Sequence, residues 1–261
     1  MLSQFTHFAE KLRTRLSHAA NQLFRRILDP WISLSAFYRW SSGEFEFPNP
    51  MLQVAKPKYV VKLVEPFTRE DVAALLKACT VSREVQPTDR RAFVMRPYEA
   101  DRNQTIILTL LDTGLRAGEL CALNIGDYVE QTGKLEVKHG RSGGSKGRKG
   151  RLVYLGKTAR RTVWRYLAKR EDRTDLDAPM FLGHHNRRMD RDVLRQVVNK
   201  TGRRTQVTHT HPHRFRHTFA ITYLRAGGDV FTLQALLGNS TLTMVEHYAQ
   251  VAVLDVEKAH R

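Results

Sequence analysis

The sequence predicts a mainly α-helical protein with one small β-hairpin or sheet. Apolar residues recur at steps of three and four through most of the chain, as on the buried face of a helix. Only two short segments, residues 135–139 and 152–155, resemble strands, and they flank a stretch rich in Gly, Ser, Lys and Arg that fits the tip of a hairpin. With 41% hydrophobic residues among 261, the chain can bury the core of one domain of roughly 200 residues and an additional piece.

The N-terminal part of the chain predicts two helices. Residues 2–28 place apolar residues at helical spacing, with Lys and Arg between them. Packing on a neighbouring element is the favoured interpretation of that stripe, and a membrane-surface or partner helix is the alternative. A second helix is predicted over residues 32–40, with a bulky aromatic face, and Ser41-Ser42-Gly43 is predicted to end it.

Proline-containing segments then predict an extended linker. Residues 48–50 and 56–58 each carry proline, which fixes φ and disfavours helix in the residue before it. We therefore divide the chain into a helical segment over residues 1–47, a linker over 48–65, and a larger domain with a C-terminal tail over 66–261.

The larger domain is predicted to begin with helices. Thr68 and Asp71 have the spacing of a capping box at a helix start. Residues 80–97 are largely polar and predict a loop. The near-continuous apolar run over residues 103–112 predicts a buried helix that leads directly into residues 113–120, which read TGLRAGEL.

Further helices are predicted after the hairpin. They cover residues 157–171 and 190–201, and Arg191 and Arg195 lie on the polar side of the latter. Residues 209–248 then predict two helices separated by Gly227-Gly228 and a third, short helix that carries a tyrosine.

The chemistry of residues 209–248 lies at its two ends. His213 and Arg216 share one face of a helix start, and Tyr248 follows at a distance. A guanidinium binds phosphate oxygens in a bidentate manner, an imidazole moves protons near neutral pH, and a phenol can become a covalent nucleophile. This combination favours phosphoryl transfer, although each residue alone would more often be a packing or surface residue.

Three motifs together resemble a known family. Residues 213–217 read HRFRH, 236–240 read LLGNS and Tyr248 follows, an order that strongly resembles the H-x-x-R, L-G-H and Y signature of the tyrosine recombinases, the phage integrase family. Residues 113–120 resemble the family's T-G-[LM]-R-x-x-E-L motif. Residues 146–151, KGRKGR, resemble its G-K-G-x-K-x-R pattern. The resemblance covers roughly residues 30–255.

The resemblance implies a tyrosine recombinase catalytic-domain fold over residues 66–261, with residues 1–47 as a partial core-binding domain. It implies a site-specific recombinase or integrase that cleaves and rejoins DNA through a 3′-phosphotyrosyl intermediate. The roles that it assigns are these: Tyr248 attacks the scissile phosphate, Arg116 and Arg216 stabilise its charge, His213 acts as acid and base, and Lys146, or alternatively Lys149, protonates the departing 5′-oxygen.

The resemblance also implies supporting residues and one departure. Glu119 and His217 are expected to orient the reacting groups rather than react. Asn239 stands where the family usually has His, sometimes Trp. An amide can donate a hydrogen bond to a phosphate oxygen but carries no charge, so we expect reduced but real activity.

Composition agrees with a DNA partner. The 43 basic residues against 26 acidic ones give a formal charge of +17, which favours a polyanion such as double-stranded DNA. The apolar runs are far shorter than the ~18 residues that span a bilayer, and no signal peptide is evident, so a cytoplasmic, nucleoid-associated protein is expected. Cys79 and Cys121 are expected to be reduced and to act as packing residues. The histidine spacing in HTHPH fits no common helical ligand pair, and no nucleotide-binding loop is present, so neither metal nor cofactor is predicted.

Two alternatives and one mode of assembly remain at this point. A type IB topoisomerase uses similar chemistry, and a DNA-binding regulator that has lost catalysis would also fit a basic chain with Asn239. For the recombinase, the apolar tail over residues 249–261 is expected to dock on a neighbouring protomer in a tetramer on two DNA sites, with packing on its own domain as the alternative.

Overall fold

The computed structural model describes residues 30–57, 65–80, 84–85, 93–94, 99–138, 150–239, 242 and 245–252. The predictions on residues 2–28, Lys146, Lys149 and residues 253–261 lie outside this part of the chain. Within it helices predominate and a small antiparallel sheet is present, which confirms the predicted fold class. The chain divides into two compact units, residues 1–62 and 63–261. The finer division into segment, linker and domain stays a prediction.

The first unit contains helix α1 over residues 30–44 and a 3₁₀ turn at Pro50–Leu52. The Asn49 side chain caps this turn by accepting a hydrogen bond from the backbone N–H of Met51, at 2.9 Å. The predicted helix end at residue 40 was wrong by four residues, since α1 continues through Ser41-Ser42-Gly43 to residue 44. A glycine inside a helix costs only about 1 kcal/mol, so it does not have to end one.

The second unit is built from eight further helices and five short strands within the described residues. The helices are α2 Arg69–Thr80, α3 Ala100–Thr113, α4 Ala117–Ala122, α5 Lys157–Leu167, α6 Arg191–Thr205, α7 Pro212–Arg225, α8 Val230–Leu237 and α9 over residues 245–252. The strands are β1 Glu84–Val85, β2 Phe93–Val94, β3 Tyr128–Val129, β4 Lys134–Val137 and β5 Arg151–Tyr154. The region predicted as a loop therefore contains an antiparallel strand pair, β1 with β2.

The larger sheet has the order β3-β4-β5 and is antiparallel throughout. Leu135 lies opposite Val153, and Val137 lies opposite Arg151. Strands β4 and β5 match the predicted hairpin to within about two residues at each end. The additional strand β3 was not predicted, because two residues are too few to show an alternating pattern.

Helix α3 lies at the centre of the main hydrophobic core. It packs against α2, α5 and α7, and its Ile106, Ile107 and Leu110 have no exposed surface. This confirms the buried helix predicted over residues 103–112. A second, smaller core joins α7, α8 and α9, and its buried members are Ala220, Ile221, Leu233, Leu237, Val245 and Tyr248. The end of α3, the start of α7 and the end of α8 thereby meet between the two cores.

The start of α7 is held by the chain segment that enters the domain. Arg214 places its guanidinium 4.1 Å from the ring centroid of Phe67 and donates to the carbonyl of Glu65 at 3.0 Å. The backbone N–H of Phe67 donates to the hydroxyl of Thr218 at 2.9 Å. These contacts fix α7 against the first residues of the domain.

Candidate active site

Arg116 reaches the site because the chain turns sharply at the end of α3. Gly114 has a φ of 59°, in the left-handed region that favours glycine. A Cβ atom there would lie 2.5 Å from Cδ1 of Phe219, so a larger residue does not fit. Arg116 follows in an extended conformation as the N-cap of α4, which directs its side chain to the C-terminal end of α8.

The two predicted arginines converge on the C-terminal turn of α8. Nη2 of Arg116 and Nη2 of Arg216 both donate to Oδ1 of Asn239, each at 2.9 Å. Arg216 also donates to the carbonyl of Leu237 at 2.8 Å, and Arg116 donates to the carbonyls of Leu237 and Gly238 at 3.4 Å. These carbonyls lie at the negative end of the helix dipole, which favours the positive charges around them.

Arg216 is the more deeply buried of the two. It is 5% exposed, and its Nη1 donates to the carbonyl of Gly114 at 2.8 Å. Burial, together with the positive charge of Arg116, lowers the pKa of Arg216 to about 10, so its guanidinium stays charged at neutral pH. The side chain of Arg116 is 30% exposed and faces solvent more openly.

Glu119 lies behind the arginine pair. Its carboxylate accepts from the backbone N–H of Arg116 at 2.8 Å and from Nη1 of Arg116 at 2.9 Å. Arg151 donates to both of its oxygens, at 3.0 and 2.7 Å. Burial alone would raise the pKa of Glu119, but the hydrogen bonds and charges of Arg151 and Arg116 outweigh it and lower the pKa to about 2. Glu119 is therefore ionised at neutral pH, and its carboxylate holds Arg116 in place.

Tyr248 lies on the other side of Arg216. It is 6% exposed and packs in the second core, with its ring 5.2 Å from that of His217 in an edge-to-face arrangement. Burial raises the pKa of its phenol, although the charges of Arg216 and Arg116 and a hydrogen bond to Arg216 act in the opposite direction. The phenol is thus protonated at neutral pH and lies beside a buried cation.

The two histidines of the motif differ in exposure. His213 is open to solvent, whereas His217 is partly buried. Desolvation by the surrounding protein, followed by the charges of Arg216 and Arg116, lowers the pKa of His213. Burial and nearby basic groups lower the pKa of His217 to about 4. Both imidazoles are therefore neutral at pH 7 and able to accept a proton.

The structure thus brings six of the predicted site residues to one place: Arg116, Glu119, His213, Arg216, Asn239 and Tyr248. His217 lies beside them, against Tyr248. Lys146 and Lys149 lie outside the described residues. The guanidinium groups of Arg116 and Arg151 both bind the carboxylate of Glu119, and that of Arg216 binds no carboxylate among the described residues. Three cations near one carboxylate leave positive charge for an anion such as a phosphodiester.

The sequence motif over residues 146–151 contains Arg151, but no role was predicted for this residue. A signal was present, because Arg151 and Val153 on β5 and Leu155 directly after it alternate along the chain, and Val153 and Leu155 are buried. A charged residue on the inward face of a strand indicates a buried ion pair. Its partner, Glu119, could not be found locally, since 31 intervening residues separate the two in sequence.

The described residues offer neither a metal site nor a membrane span. No group of three or more His, Cys, Asp and Glu residues among them could hold a metal ion. No helix in the same part of the chain has the length and apolar character needed to cross a bilayer. The predicted absence of cofactors and the predicted cellular location stay predictions.

Comparison with known proteins identifies the family. The phage integrase family model matches residues 65–254. Tyrosine recombinase XerC of Corynebacterium efficiens is 31% identical over 163 residues, which are 62% of this chain and 51% of that protein's length. Tyrosine recombinase XerD of Rickettsia bellii is 27% identical over 271 residues, which cover 99% of this chain and 84% of that protein.

Solved structures share the fold. The Tn1549 transposon integrase in complex with a circular intermediate DNA aligns with a TM-score of 0.66 at 19% identity, over 90% of this chain and 79% of that one. The XerA recombinase aligns with a TM-score of 0.59 at 20% identity, over 88% of this chain and 83% of that one. The fold and the relatives together define the class, that of the tyrosine recombinases, enzymes that cleave and rejoin DNA. The chain belongs to the phage integrase family. A site-specific recombinase is favoured over the topoisomerase and regulator alternatives.

Proposed function

We propose that this protein binds double-stranded DNA and exchanges strands at a specific site, with Tyr248 as its nucleophile. One observation carries the proposal. The phenol of Tyr248 lies against Arg216, and Arg216 shares the acceptor Asn239 Oδ1 with Arg116. A nucleophile therefore adjoins a site that already directs two guanidinium donors at one oxygen atom.

A scissile phosphate would take the position that Asn239 Oδ1 holds between the two arginines. A non-bridging phosphate oxygen accepts from the same Nη2 donors, and more strongly than an amide oxygen because it carries negative charge. The Asn239 side chain would then turn to present its NH₂ group to the phosphate. Both arginines act most strongly on the pentacoordinate transition state, where the charge on these oxygens is greatest.

The proton transfers follow from the protonation states at neutral pH. Tyr248 must lose its proton as it attacks phosphorus, and the neutral imidazole of His213 is the proposed acceptor. The bond to the 5′-oxygen breaks as the 3′-phosphotyrosyl bond forms. Lys146, or alternatively Lys149, would donate a proton to that oxygen, a role that rests on the family resemblance. The covalent link conserves the phosphodiester energy, so a 5′-hydroxyl from another strand can reseal the backbone without a nucleotide cofactor.

Covalent trapping tests this function. A pool of nicked duplexes of random sequence loses the short 5′-hydroxyl fragment after cleavage, so that the protein stays attached. We expect adducts that survive denaturation, and sequencing the attached DNA identifies the site. The variant Tyr248→Phe should bind the recovered DNA with nearly unchanged affinity and form no adduct. An adduct that survives in Tyr248→Phe would show that another residue is the nucleophile.

Binding to DNA is expected to depend steeply on salt. The formal charge of +17 favours many phosphate contacts, each of which releases counterions. The affinity for a recovered duplex, measured between low and physiological salt, should fall by orders of magnitude. An affinity that stays flat across this range would mean that the basic surface does not meet DNA.

We further propose a tetramer on two DNA sites, linked through the C-terminal tail. Val251 and Ala252 belong to α9 and pack on their own domain, so the segment available for docking on a neighbour begins at residue 253. Deleting residues 253–261 should preserve binding to one site and reduce assembly on paired sites. Tetramers at full yield from the shortened protein, measured by light scattering with two-site DNA, would exclude the tail as the link.

A further inference from the structure

The geometry points to Arg151 as a positioning residue that fixes the arginine pair, by holding Glu119 and the C-terminal turn of α8 in one arrangement. This inference deepens the proposed function and rests on it. Among the described residues, no hydrogen bond joins Arg151 to His213 or Tyr248, the groups proposed to exchange a proton and attack phosphorus. It acts through the residues that hold those groups.

The side chain of Arg151 joins two elements that carry different parts of the site. Its Nη1 and Nη2 donate to the two carboxylate oxygens of Glu119, at 3.0 and 2.7 Å, and Glu119 in turn holds Arg116. Its Nε donates to the carbonyl of Leu236 at 2.6 Å. One planar guanidinium, 9% exposed, therefore fixes the start of α4 relative to the end of α8.

The turn that Arg151 holds supplies every α8 contact of the arginine pair. Leu236 binds Arg151, the next residue, Leu237, accepts from Arg216 and Arg116, and Asn239 accepts from both. The turn also packs closely on Arg151, because a Cβ atom on Gly238 would lie 2.9 Å from its Nη1. A shift of this turn would thus move both phosphate-binding guanidiniums together.

Arg151 is also the first residue of β5, directly after the segment that contains Lys146 and Lys149. The strand that follows the proposed general acid is therefore bonded to the element that holds the transition-state donors. A misplacement of about 1 Å in such an arrangement can cost on the order of 10²-fold in rate.

A lysine at position 151 separates the effect of the positive charge from that of the hydrogen-bond geometry. The variant Arg151→Lys keeps the positive charge, but an ammonium group cannot donate to both Glu119 oxygens and the Leu236 carbonyl in one plane. We expect the single-turnover rate of adduct formation on the nicked duplex pool to fall by about 10²-fold. Retention of the same duplexes on a filter should change by less than about twofold, because no DNA contact is removed.

Arg170 provides a matched control. It is also a buried arginine that binds both oxygens of a carboxylate, that of Asp172, and it donates to the carbonyls of Pro179 and Met180. None of these partners contacts the site. The variant Arg170→Lys should lower the melting temperature about as much as Arg151→Lys and leave the adduct rate within about twofold of the original, since it removes similar bonds elsewhere. Equal rates for the two variants would overturn the inference.

The pH dependence of the adduct rate distinguishes a positioning role of Arg151 from a mere loss of stability. Without the full guanidinium contact, the pKa of Glu119 should rise from about 2 towards its ordinary value. The rate of Arg151→Lys divided by that of the original protein should therefore decrease between pH 7 and pH 4.5, as Glu119 takes up a proton and releases Arg116. A ratio that stays constant over this range would contradict the inference.

A second variant covers the case in which Arg151→Lys does not fold. Glu119→Asp keeps the charge pair and shortens the reach to Arg116 by one methylene. We expect a similar loss of rate, and an unchanged rate would overturn the role assigned to this contact chain. The proposed function fails separately, if the original protein forms no adduct or Tyr248→Phe still forms one.

Discussion

The two sides of the site are held in different ways. Arg116 and Arg216 lie on helices of the main core, and hydrogen bonds to Glu119, Gly114 and the end of α8 fix both guanidiniums. Tyr248 lies on the short helix α9 in the small second core, where apolar packing surrounds it. The groups proposed to stabilise charge are thus preorganised, whereas the proposed nucleophile is protonated and buried. Electrostatic catalysis requires the first arrangement, because donors fixed in advance need no reorganisation during the reaction.

This difference assigns separate tasks to DNA binding. In the proposed reaction, the arginine side exchanges one acceptor, Asn239 Oδ1, for a phosphate oxygen. The tyrosine side would have to open for that reaction, since Tyr248 is only 6% exposed. We therefore expect DNA to change the accessibility of Tyr248 more than it changes the geometry of Arg216.

The largest predicted effect compares the two arginines. We expect Arg216→Lys to slow adduct formation by about 10³-fold and Arg116→Lys by about 10²-fold, within the range that follows the loss of one preorganised donor. Arg216 should matter more because it is buried, and lysine there would leave the carbonyls of Gly114 and Leu237 unpaired. Single-turnover trapping on the recovered duplex measures both rates.

Measuring the melting temperatures of the same two variants tests whether the difference in burial explains the difference in rate. Arg216→Lys should lower it clearly, while Arg116→Lys, at a side chain that is 30% exposed, should lower it less. Equal losses of rate and of melting temperature would mean that the difference in burial between the arginines has no functional consequence.

Much of this arrangement follows from the sequence, and the reason lies in its local signals. The buried helix before Arg116 follows from a near-continuous apolar run and the helix that carries Arg216 from apolar periodicity, and the structure places them at residues 100–113 and 212–225. Gly114 and Gly238 end helices in the left-handed conformation, as glycine does in a C-terminal cap. The fold class was predicted correctly for the same reason.

Other features depend on pairing between distant residues, which periodicity does not record. The contact of Arg151 with Glu119 and the sharing of Asn239 by two arginines arise only when α4, α8 and β5 meet. The β1–β2 pair was missed because two-residue strands have no pattern. The roles of the individual site residues therefore stay predictions that the experiments described here test.

A smaller effect is predicted at Asn239, which lies between the two arginines. Asn239→His restores the residue that the family resemblance leads us to expect. Histidine would donate through a ring N–H and has no amide oxygen that competes with phosphate for the two arginines, a gain of roughly 1 kcal/mol, so the adduct rate should rise by about fivefold. Asn239→Asp is the matched opposite, because its carboxylate would bind both arginines and compete with phosphate. A slower rate for Asn239→His than for the original protein would contradict the proposed contact with phosphate.

The smallest predicted effect concerns stability on the tyrosine side. Burial, then the neighbouring His213, His211 and Arg216, lower the pKa of His217 from 6.5 to about 4. Between these values the unfolded chain binds a proton that the folded chain does not, so His217 destabilises the fold as pH falls from about 6.5 towards 4. Above pH 6.5 this destabilisation is absent.

The variant His217→Gln should remove this titration and keep a side chain of similar size against Tyr248. Between pH 7 and pH 5 its melting temperature should fall by a few degrees less than that of the original protein, since 1 kcal/mol shifts the melting temperature of a domain of this size by about 2–4 °C. The variant His209→Asn provides the control, because His209 is exposed. Asparagine is chosen because it tolerates the backbone φ of 53° at this position. If His217→Gln and His209→Asn lose equal stability on acidification, the packing of His217 against Tyr248 does not hold its imidazole neutral.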